Sequence, residues 1–254
     1  MATYKEINGT AVQNFAGDPA NPVEGQVWYD SVAATFQYSS ATTVGAWATG
    51  GSINSARDTL AGSGVQTAAL IFGGQSPNSA LTESYNGTSW TEVNDLNTAR
   101  NGLAGVGTST SSLAYGGEPI TAVTESFNGT NWTEVNDLNT ARRNLSGAGV
   151  DNTSALAFGG AAPNTQTELW NGTNWTEVND LNAGRGYAAG FGTSTAAIFT
   201  GGLPATAATE SWNGTNWTEV NDLNTARYHF AAAGISTAGL VFSGSPGAPV
   251  AALT

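Results

Sequence analysis

A repeat of 42 or 43 residues runs through most of the chain and limits what it can fold into. It is marked by five tryptophans and, ten residues after each, five arginines: Trp47, Trp90, Trp132, Trp175 and Trp217, and Arg57, Arg100, Arg142, Arg185 and Arg227. Glycine pairs keep the same spacing at 73–74, 116–117, 159–160 and 201–202, with Ser243-Gly244 as a degenerate fifth. Such a period, built from short β-compatible runs, predicts a β-propeller with one four-stranded blade per repeat.

Each repeat divides into four short strands, labelled a to d from the inside of the blade outwards. In the repeat after Arg100 the expected strands are residues 103–107, 112–115, 123–127 and 132–135, separated by Gly, Pro and Asn. Asn128-Gly129 and its copies supply the positive φ that a tight turn between strands c and d needs. Glycine and alanine dominate strand a, as expected for the innermost strands of a small ring. No window shows a helical period.

The fifth repeat is divided between the two ends of the chain. After Arg227 come strand a, near residues 228–236, and strand b, near residues 238–242, and the sequence ends where strand c should begin. Thr35–Tyr38 matches strand c and Ala46–Thr49 matches strand d, so N-terminal strands are expected to complete the last blade and close the ring. The prediction is an all-β, five-bladed propeller over residues 33–254, preceded by an attachment arm over residues 1–32.

The repeat resembles the kelch repeat. The similarity consists of the arginine, small residues, an apolar strand ending in Gly-Gly, a Glu-Ser-aromatic-Asn-Gly segment and the tryptophan, and it covers roughly residues 33–254. Kelch repeats usually carry an acidic residue after the strand c aromatic, where this chain has Asn, which suits a turn. The resemblance implies a propeller. It says little about activity, because kelch propellers include scaffolds, binders and enzymes.

A second resemblance lies in the N-terminal segment. Residues 7–15 and 22–30, continuing into Phe36-Gln37-Tyr38, are similar to hairpin segments in tail and appendage proteins of tailed bacteriophages. Residues 26–30 alternate in hydrophobicity and are expected to form a strand beside Thr35–Tyr38. The resemblance implies that the arm attaches the propeller to other virion proteins, with Tyr4, Ile7, Val12 and Phe15 as its apolar contacts. An arm folded back on its own propeller is the alternative.

Composition narrows the possible partners. The net charge is −12 and Lys5 is the single lysine, which argues against nucleic acid as a partner. There is no cysteine, no apolar run as long as a membrane span and no secretory signal at the start of the sequence, so neither membrane insertion nor a disulfide framework is expected. Abundant Ser, Thr, Asn and Gly with few charges is typical of secreted or virion β-proteins.

The residues available for catalysis are few. His229 is the single histidine, and without cysteine the copper radical chemistry known on kelch scaffolds is excluded. Two series of glutamates recur identically in successive repeats: Glu83, Glu125, Glu168 and Glu210, and Glu92, Glu134, Glu177 and Glu219. Catalytic carboxylates need unlike environments, so strand-edge hydrogen bonding and solubility are the favoured roles for both series. No enzymatic activity and no cofactor are predicted.

Two further repeated features have structural interpretations. The Asn-Asp-Leu-Asn segments, at Asn94 and its copies, lack the glycine and distal glutamate of a calcium loop, so they are expected to form turns and no metal site is predicted. The tryptophans at the start of each strand d could form a stacking platform for sugars or bases. Their regular recurrence favours packing between blades, with Trp47, Trp90, Trp132, Trp175 and Trp217 as blade anchors.

The repeats differ from one another mainly in two connections, b to c and d to a. In an up-and-down blade both connections emerge on the same face, around the channel mouth, where loops can vary and carry function. Neutral drift in permissive loops is the competing explanation. The ligand-binding candidates are Arg57, Asp58, Arg100, Asn101, Arg142, Arg143, Arg185, Tyr187, Arg227, Tyr228 and His229.

These observations predict a non-enzymatic protein of a tailed-phage virion: a tail-fibre, spike or appendage module that recognises a host surface glycan or protein. Other virion proteins and further copies of the chain are the other expected partners. A bacterial kelch-type lectin or protein-interaction module, unconnected with a virus, is the main alternative. A carbohydrate-active enzyme is a third, less favoured class.

Overall fold

The computed structural model describes residues 3–7, 10–17, 19, 27–38, 50–75, 77–161 and 164–246. This part of the chain is all-β, and it contains no helix that is long and apolar enough to cross a membrane. Contacts divide the chain into two compact units, Met1–Thr49 and Gly50–Thr254.

The N-terminal unit contains one four-stranded sheet in the order β1-β2-β3-β4. Its strands are β1 (Thr3–Ile7), β2 (Thr10–Phe15), β3 (Val27–Asp30) and β4 (Thr35–Tyr38). Strands β2 and β3 are parallel, and the other two pairs are antiparallel. The Asp30 carboxylate accepts hydrogen bonds from the N–H groups of Val32 and Ala33 at 2.8 and 3.1 Å, so it closes the turn between β3 and β4.

The strand predicted beside Thr35–Tyr38 is confirmed as β3. The predicted place of Thr35–Tyr38 as strand c of the last blade is not confirmed. Thr35–Tyr38 pairs with β3 in the N-terminal sheet, with Thr35 opposite Asp30, and no described strand of the last repeat pairs with it. One physical reason is that only residues 31–34 separate β3 from β4, and the Asp30 carboxylate bonds this turn, so the two strands form a local hairpin. The boundary between the two compact units falls after Thr49, and the domain boundary after residue 32 stays a prediction. Ala46–Thr49 lies outside the described residues.

The second unit contains four sheets of four antiparallel strands, each in simple chain order. The first two sheets consist of β5 (Ala61–Val65), β6 (Ala68–Phe72), β7 (Thr82–Tyr85) and β8 (Trp90–Val93), and of β9 (Ala104–Gly107), β10 (Ser112–Tyr115), β11 (Thr124–Phe127) and β12 (Trp132–Val135). The next two consist of β13 (Ser146–Asp151), β14 (Ser154–Phe158), β15 (Thr167–Trp170) and β16 (Trp175–Val178), and of β17 (Ala189–Thr193), β18 (Ala196–Thr200), β19 (Thr209–Trp212) and β20 (Trp217–Val220). The four strands expected in each of these repeats are confirmed, and the architecture is β-propeller-like.

The fifth repeat has shorter sheets in the described residues. Strands β22 (Ala231–Ile235) and β23 (Ala238–Phe242) form one pair, and β21 (Arg227–Tyr228) and β24 (Ser245–Pro246) form another. Leu240 of β23 is 55% exposed, whereas its counterparts Leu70, Leu113 and Leu156 are 0% exposed. These three belong to core clusters that include residues of the following repeat, as Leu70 does with Phe127 and Trp132. The blade count of five and the closure of the ring remain predictions.

The turns between strands c and d follow the expected chemistry. Gly129 has a φ of 93°, and the equivalent glycines of the other three complete repeats have φ between 91° and 93°. The side-chain oxygen of Asn128 accepts hydrogen bonds from the N–H groups of Thr130 and Asn131 at 3.0 and 2.9 Å. Asn and Gly therefore act together, one bonding its own turn and the other allowing positive φ.

Tryptophans of strand d join neighbouring repeats. The indole N–H of Trp132 donates to the Thr82 hydroxyl of the preceding repeat at 3.1 Å, and its ring packs edge-on against Phe72, with centroids 4.8 Å apart. The same arrangement recurs at Trp175 with Thr124 and Tyr115, and at Trp217 with Thr167 and Phe158. Trp47 lies outside the described residues. A buried indole with its N–H satisfied fixes one sheet on the next.

Glycines in strand a make room for aromatic rings from the preceding repeat. A Cβ added at Gly190 would lie 2.6 Å from the Phe158 ring, closer than real atoms approach. Gly105 faces Phe72 and Gly147 faces Tyr115 in the same way. The glycine content of strand a therefore reflects aromatic packing between sheets, an explanation more specific than crowding at the centre of a ring.

Replacing Trp132 with Ala should lower the free energy of unfolding by about 3–5 kcal/mol, because it empties a buried aromatic site. Trp90 occupies the same position in the first repeat but is only half-buried, and its N–H donates to the carbonyl of Gly51 at 3.2 Å. Trp90→Ala should therefore cost less. Urea denaturation followed by circular dichroism measures both variants, and equal losses would contradict the packing described.

Candidate functional site

A buried arginine–glutamate pair lies beneath each d-to-a connection of the four complete repeats. Arg142 Nη2 lies 2.7 Å from Glu168 Oε1, and Arg100 pairs with Glu125 at 3.1 Å. Across the four pairs, 0–3% of each side chain is exposed; the other two pairs are Arg57–Glu83 and Arg185–Glu210. Burial lowers the pKa of Arg142, while the charge of Glu168 raises it in opposition. Each buried cation is thus compensated by a partner on strand c.

The same glutamates hold the end of the preceding Asn-Asp-Leu-Asn segment. Asn97 donates both its backbone N–H and its side-chain N–H to Glu125, at 2.7 and 2.9 Å. Two residues earlier, Asp95 accepts the N–H of Thr82 at 3.0 Å. The carboxylate oxygens of Glu125 and Asp95 thus accept hydrogen bonds from groups of the protein itself. Within the described residues, no three His, Asp or Glu side chains are grouped as metal ligands would be. The segment therefore connects one repeat to the next.

The arginine and glutamate positions differ from two expectations. Arg57, Arg100, Arg142 and Arg185 were expected at the ligand-binding mouth, but their side chains point inward because strand c supplies a carboxylate partner. The sequence predicts a strand-edge and solubility role for Glu83 and its copies, yet they are buried; the second series, from Glu92 to Glu219, is exposed. Arg227 is half-buried and donates to the Ser243 carbonyl at 2.9 Å.

Sequence reasoning missed these ion pairs although a signal was present. Arginine and glutamate recur together, 25 or 26 residues apart, in all four complete repeats. A cation and an anion repeated in step are expected to compensate each other where a structure buries them. The joint periodicity of the two charges was therefore more informative than the position of either charge beside a variable loop.

Five equivalent residues, one from each d-to-a connection, form a continuous backbone arc. Gly102 donates its N–H to the Thr59 carbonyl at 2.9 Å, and Asn144, Tyr187 and His229 continue the chain at 2.7 to 3.0 Å. All five have φ between 50° and 56°, which is uncommon for residues other than glycine. The bond between successive repeats holds this conformation. We call these five residues, Thr59, Gly102, Asn144, Tyr187 and His229, the mouth arc.

The two variable connections lie together beside the mouth arc, as expected. Asp58 bridges to Gln75, Asn101 to Glu118 and Gly186 to Leu203, in each case linking the d-to-a and b-to-c connections of one repeat. A depression of about 280 Å³ opens between them. It is lined by Thr59, Gln75, Asn101, Glu118, Arg143, Asn144, Tyr187 and His229. Side chains that differ between repeats therefore share one cavity.

One side of this depression carries a polar network. Arg143 pairs with Glu118 of the preceding repeat at 2.5 Å, and the two side chains are 39% and 37% exposed. Asn101 donates to the Asn78 side-chain oxygen at 2.5 Å, and Asn78 donates to the Glu118 carbonyl at 3.2 Å. Among the ion pairs of the described residues, Arg143–Glu118 is the exposed one, so its groups remain accessible to a ligand.

The other side of the depression is aromatic. The Tyr187 and His229 rings stack with centroids 4.4 Å apart and an interplanar angle of 23°. Tyr228 meets His229 edge-on at 5.3 Å. His229 is exposed, while Tyr187 and Tyr228 are half-buried. No other repeat places an aromatic residue in the mouth arc. Of the predicted ligand-binding residues, Asn101, Arg143, Tyr187 and His229 line this cavity, and Asp58 and Tyr228 adjoin it.

Comparison with known proteins provides no family for this chain: no protein-family model and no curated protein matches it. The resemblances to kelch repeats and to phage appendage proteins therefore stay predictions.

Glu168→Gln should destabilise the protein by about 3–5 kcal/mol, because it leaves Arg142 buried without a compensating charge. Glu177→Gln is the matched control. Glu177 lies opposite Glu168 on the neighbouring strand but is exposed, so its change should stay within about 0.5 kcal/mol. Chemical denaturation of both variants tests this, and an equally small effect at Glu168 would show that the ion pair is not needed.

Acid should destabilise the fold partly through Glu83. Burial by itself raises the pKa of Glu83. Hydrogen bonds from Arg57 and Asn54, together with the charge of Arg57, lower it by more, so the pKa lies below its ordinary value of 4.5. Such a group contributes stability that is complete above its unfolded pKa and is lost as the pH falls through its folded pKa. The melting temperature of the wild type should therefore decrease as the pH is lowered below about 4.5. The fall should be smaller for Glu83→Gln, and parallel profiles would refute the assignment.

Proposed function

We propose that this protein is a non-enzymatic recognition module of a tailed-phage virion that binds a host surface ligand at the depression beside the mouth arc. One observation carries the proposal. Residues repeated in every complete unit, such as Arg142, Glu168 and Trp175, are used in internal contacts. Residues that differ between units, such as Arg143, Tyr187 and His229, share an open cavity. A scaffold that is uniform inside and varied at one face suits recognition.

The same arrangement supports the proposal of a non-catalytic role. The buried glutamates each face an arginine and occupy nearly identical surroundings, as in Glu125 with Arg100 and Glu210 with Arg185. A hydrolase with two carboxylates needs one acid and one base held in unlike environments. At the mouth, Glu118 is paired with Arg143, so its charge is already compensated. Binding therefore accounts for the site better than catalysis does.

The virion assignment rests on the N-terminal segment and its exposed apolar residues. Val32 and Phe36 are exposed, and Phe15 is half-buried at the end of β2. Tyr4, Ile7 and Val12 lie in β1 and β2, and for these three residues the structure describes the strands but not the surroundings of the side chains. Apolar groups beside an edge strand suit docking on another subunit, and we propose that this unit binds a neighbouring virion protein.

We also propose that strands preceding Gly50 complete the last blade, so that five blades form a closed ring. The outer strands of the complete repeats each expose a glutamate, which protects a sheet edge from unwanted pairing. Residues 231–242, which include β22 and β23, contain no charged residue, and Leu240 is exposed. An unprotected apolar edge of this kind is expected to be covered in the folded protein.

Deleting residues 1–49 should therefore expose the β23 edge and cause aggregation, measured by size-exclusion chromatography and light scattering. Leu240→Lys in the truncated protein should restore solubility, because a charge on an edge strand prevents edge-to-edge pairing. A truncated protein that is monomeric and as heat-stable as the full chain would show that residues 1–49 do not close the ring.

Recognition at the mouth predicts which variants lose binding to host cells. The triple variant Arg143→Ala, Tyr187→Ala, His229→Ala should lose most cell binding while keeping its melting temperature within a few degrees, because these residues are exposed or half-buried. Glu92→Gln combined with Glu134→Gln changes exposed outer strands and should bind normally. Retained binding by the triple variant would place recognition elsewhere.

Immunogold labelling and mass spectrometry of purified particles test the virion assignment separately. The proposal expects the protein in the particle, at a tail or appendage position. A protein that binds cells but never co-purifies with particles would favour the alternative, a bacterial kelch-type lectin or interaction module.

A further inference from the structure

The depression beside the mouth arc combines two recognition chemistries. Its polar side offers donors and acceptors from Asn101, Glu118, Arg143 and Asn144. Its aromatic side is the stacked pair of Tyr187 and His229. Leucine, isoleucine, valine and methionine are missing from its lining; Leu60, Leu103 and Leu145 line an adjoining depression that shares Tyr187 and His229 with it. Within the depression itself, an apolar peptide side chain would find few matching contacts, whereas a ligand with hydroxyl groups on its edge and C–H groups on its face would find both.

The charges in and around the depression favour an uncharged ligand over an anionic one. Arg143 is the one Arg or Lys that lines the depression, and Glu118 neutralises it at 2.5 Å. Asp58 lies beside the site and is exposed, and the whole chain carries a net charge of −12. An anionic ligand would meet a repulsive field and would have to compete with Glu118 for Arg143. An uncharged ligand loses nothing to either effect.

We infer that the ligand is a neutral saccharide bound as a short terminal unit; this inference rests on the proposed function. The apolar face of one sugar ring lies on an outer face of the Tyr187–His229 pair, because the two stacked rings cover each other's inner faces. Its hydroxyl groups bond the Arg143–Glu118 pair, which offers donors and acceptors side by side, and the amides of Asn101 and Asn144. The cavity of about 280 Å³ lies just below the roughly 300–1,000 Å³ found for small-molecule sites, which suits one or two sugar units.

The experiment uses the full chain and a panel of immobilised neutral hexoses, deoxyhexoses and N-acetylhexosamines, printed beside uronic acids, sialic acids and phosphorylated sugars. Titration calorimetry with the best soluble saccharide then gives its affinity at low and high salt. The inference expects binding to neutral members that changes little with salt. Tyr187→Ala combined with His229→Ala should weaken that binding roughly tenfold, corresponding to about 1.4 kcal/mol.

A charge variant sharpens the test. Glu118→Gln removes the carboxylate and leaves Arg143 free, so it should weaken neutral binding and improve binding of the anionic saccharides relative to wild type. The fold should survive, because the Arg143–Glu118 pair is exposed and such pairs contribute little stability. A matched control, Glu134→Gln, removes one exposed carboxylate from an outer strand and should change neither preference.

Three results would overturn the inference. If wild-type protein prefers anionic saccharides, the ligand class is wrong while recognition at the mouth stands. If no saccharide binds although the mouth variants lose host-cell binding, the ligand is a protein receptor. If the mouth variants keep host-cell binding, the proposed function itself fails.

Discussion

The buried arginine–glutamate pair is the interaction on which the rest of the second unit depends. It ties the connection that enters each repeat to strand c of that repeat, and its glutamate also holds the asparagine that ends the preceding repeat, as Glu125 does with Arg100 and Asn97. Burying two charges is costly unless each is compensated and hydrogen-bonded. The pair recurs in all four complete repeats, where it holds the same two connections in place each time.

This constraint also shapes the mouth. Because Arg142 points inward, the residue that follows it, Arg143, faces the opposite side and reaches Glu118 of the neighbouring repeat. One position further on, Asn144 adopts positive φ and bonds Gly102 and Tyr187 along the mouth arc. The backbone is thus held in place by repeated contacts beneath it. Side chains at the mouth can then differ between repeats without disturbing the packing.

Much of the fold could be predicted from local sequence, and much of the site could not. Residues 112–115 were predicted as a strand and are one, because a short apolar run ending in Gly-Gly carries its own boundary. The parallel pairing of β2 with β3 was missed, because residues far apart in sequence form it and a turn signal does not encode it. The arginines were placed at the mouth because they adjoin variable residues. Their true direction depends on a carboxylate 25 or 26 residues away.

The central claim is that repeated residues build the scaffold while non-repeated mouth residues bind the ligand. A saturation mutagenesis scan that scores folded yield and host-cell binding in the same library tests it most directly. The account predicts that substitutions at Arg100, Glu125 and Trp132 lower both scores together, whereas substitutions at Arg143, Tyr187 and His229 lower binding alone. Binding-specific losses that cluster on the outer strands or at the tryptophans, with none at the mouth, would contradict it.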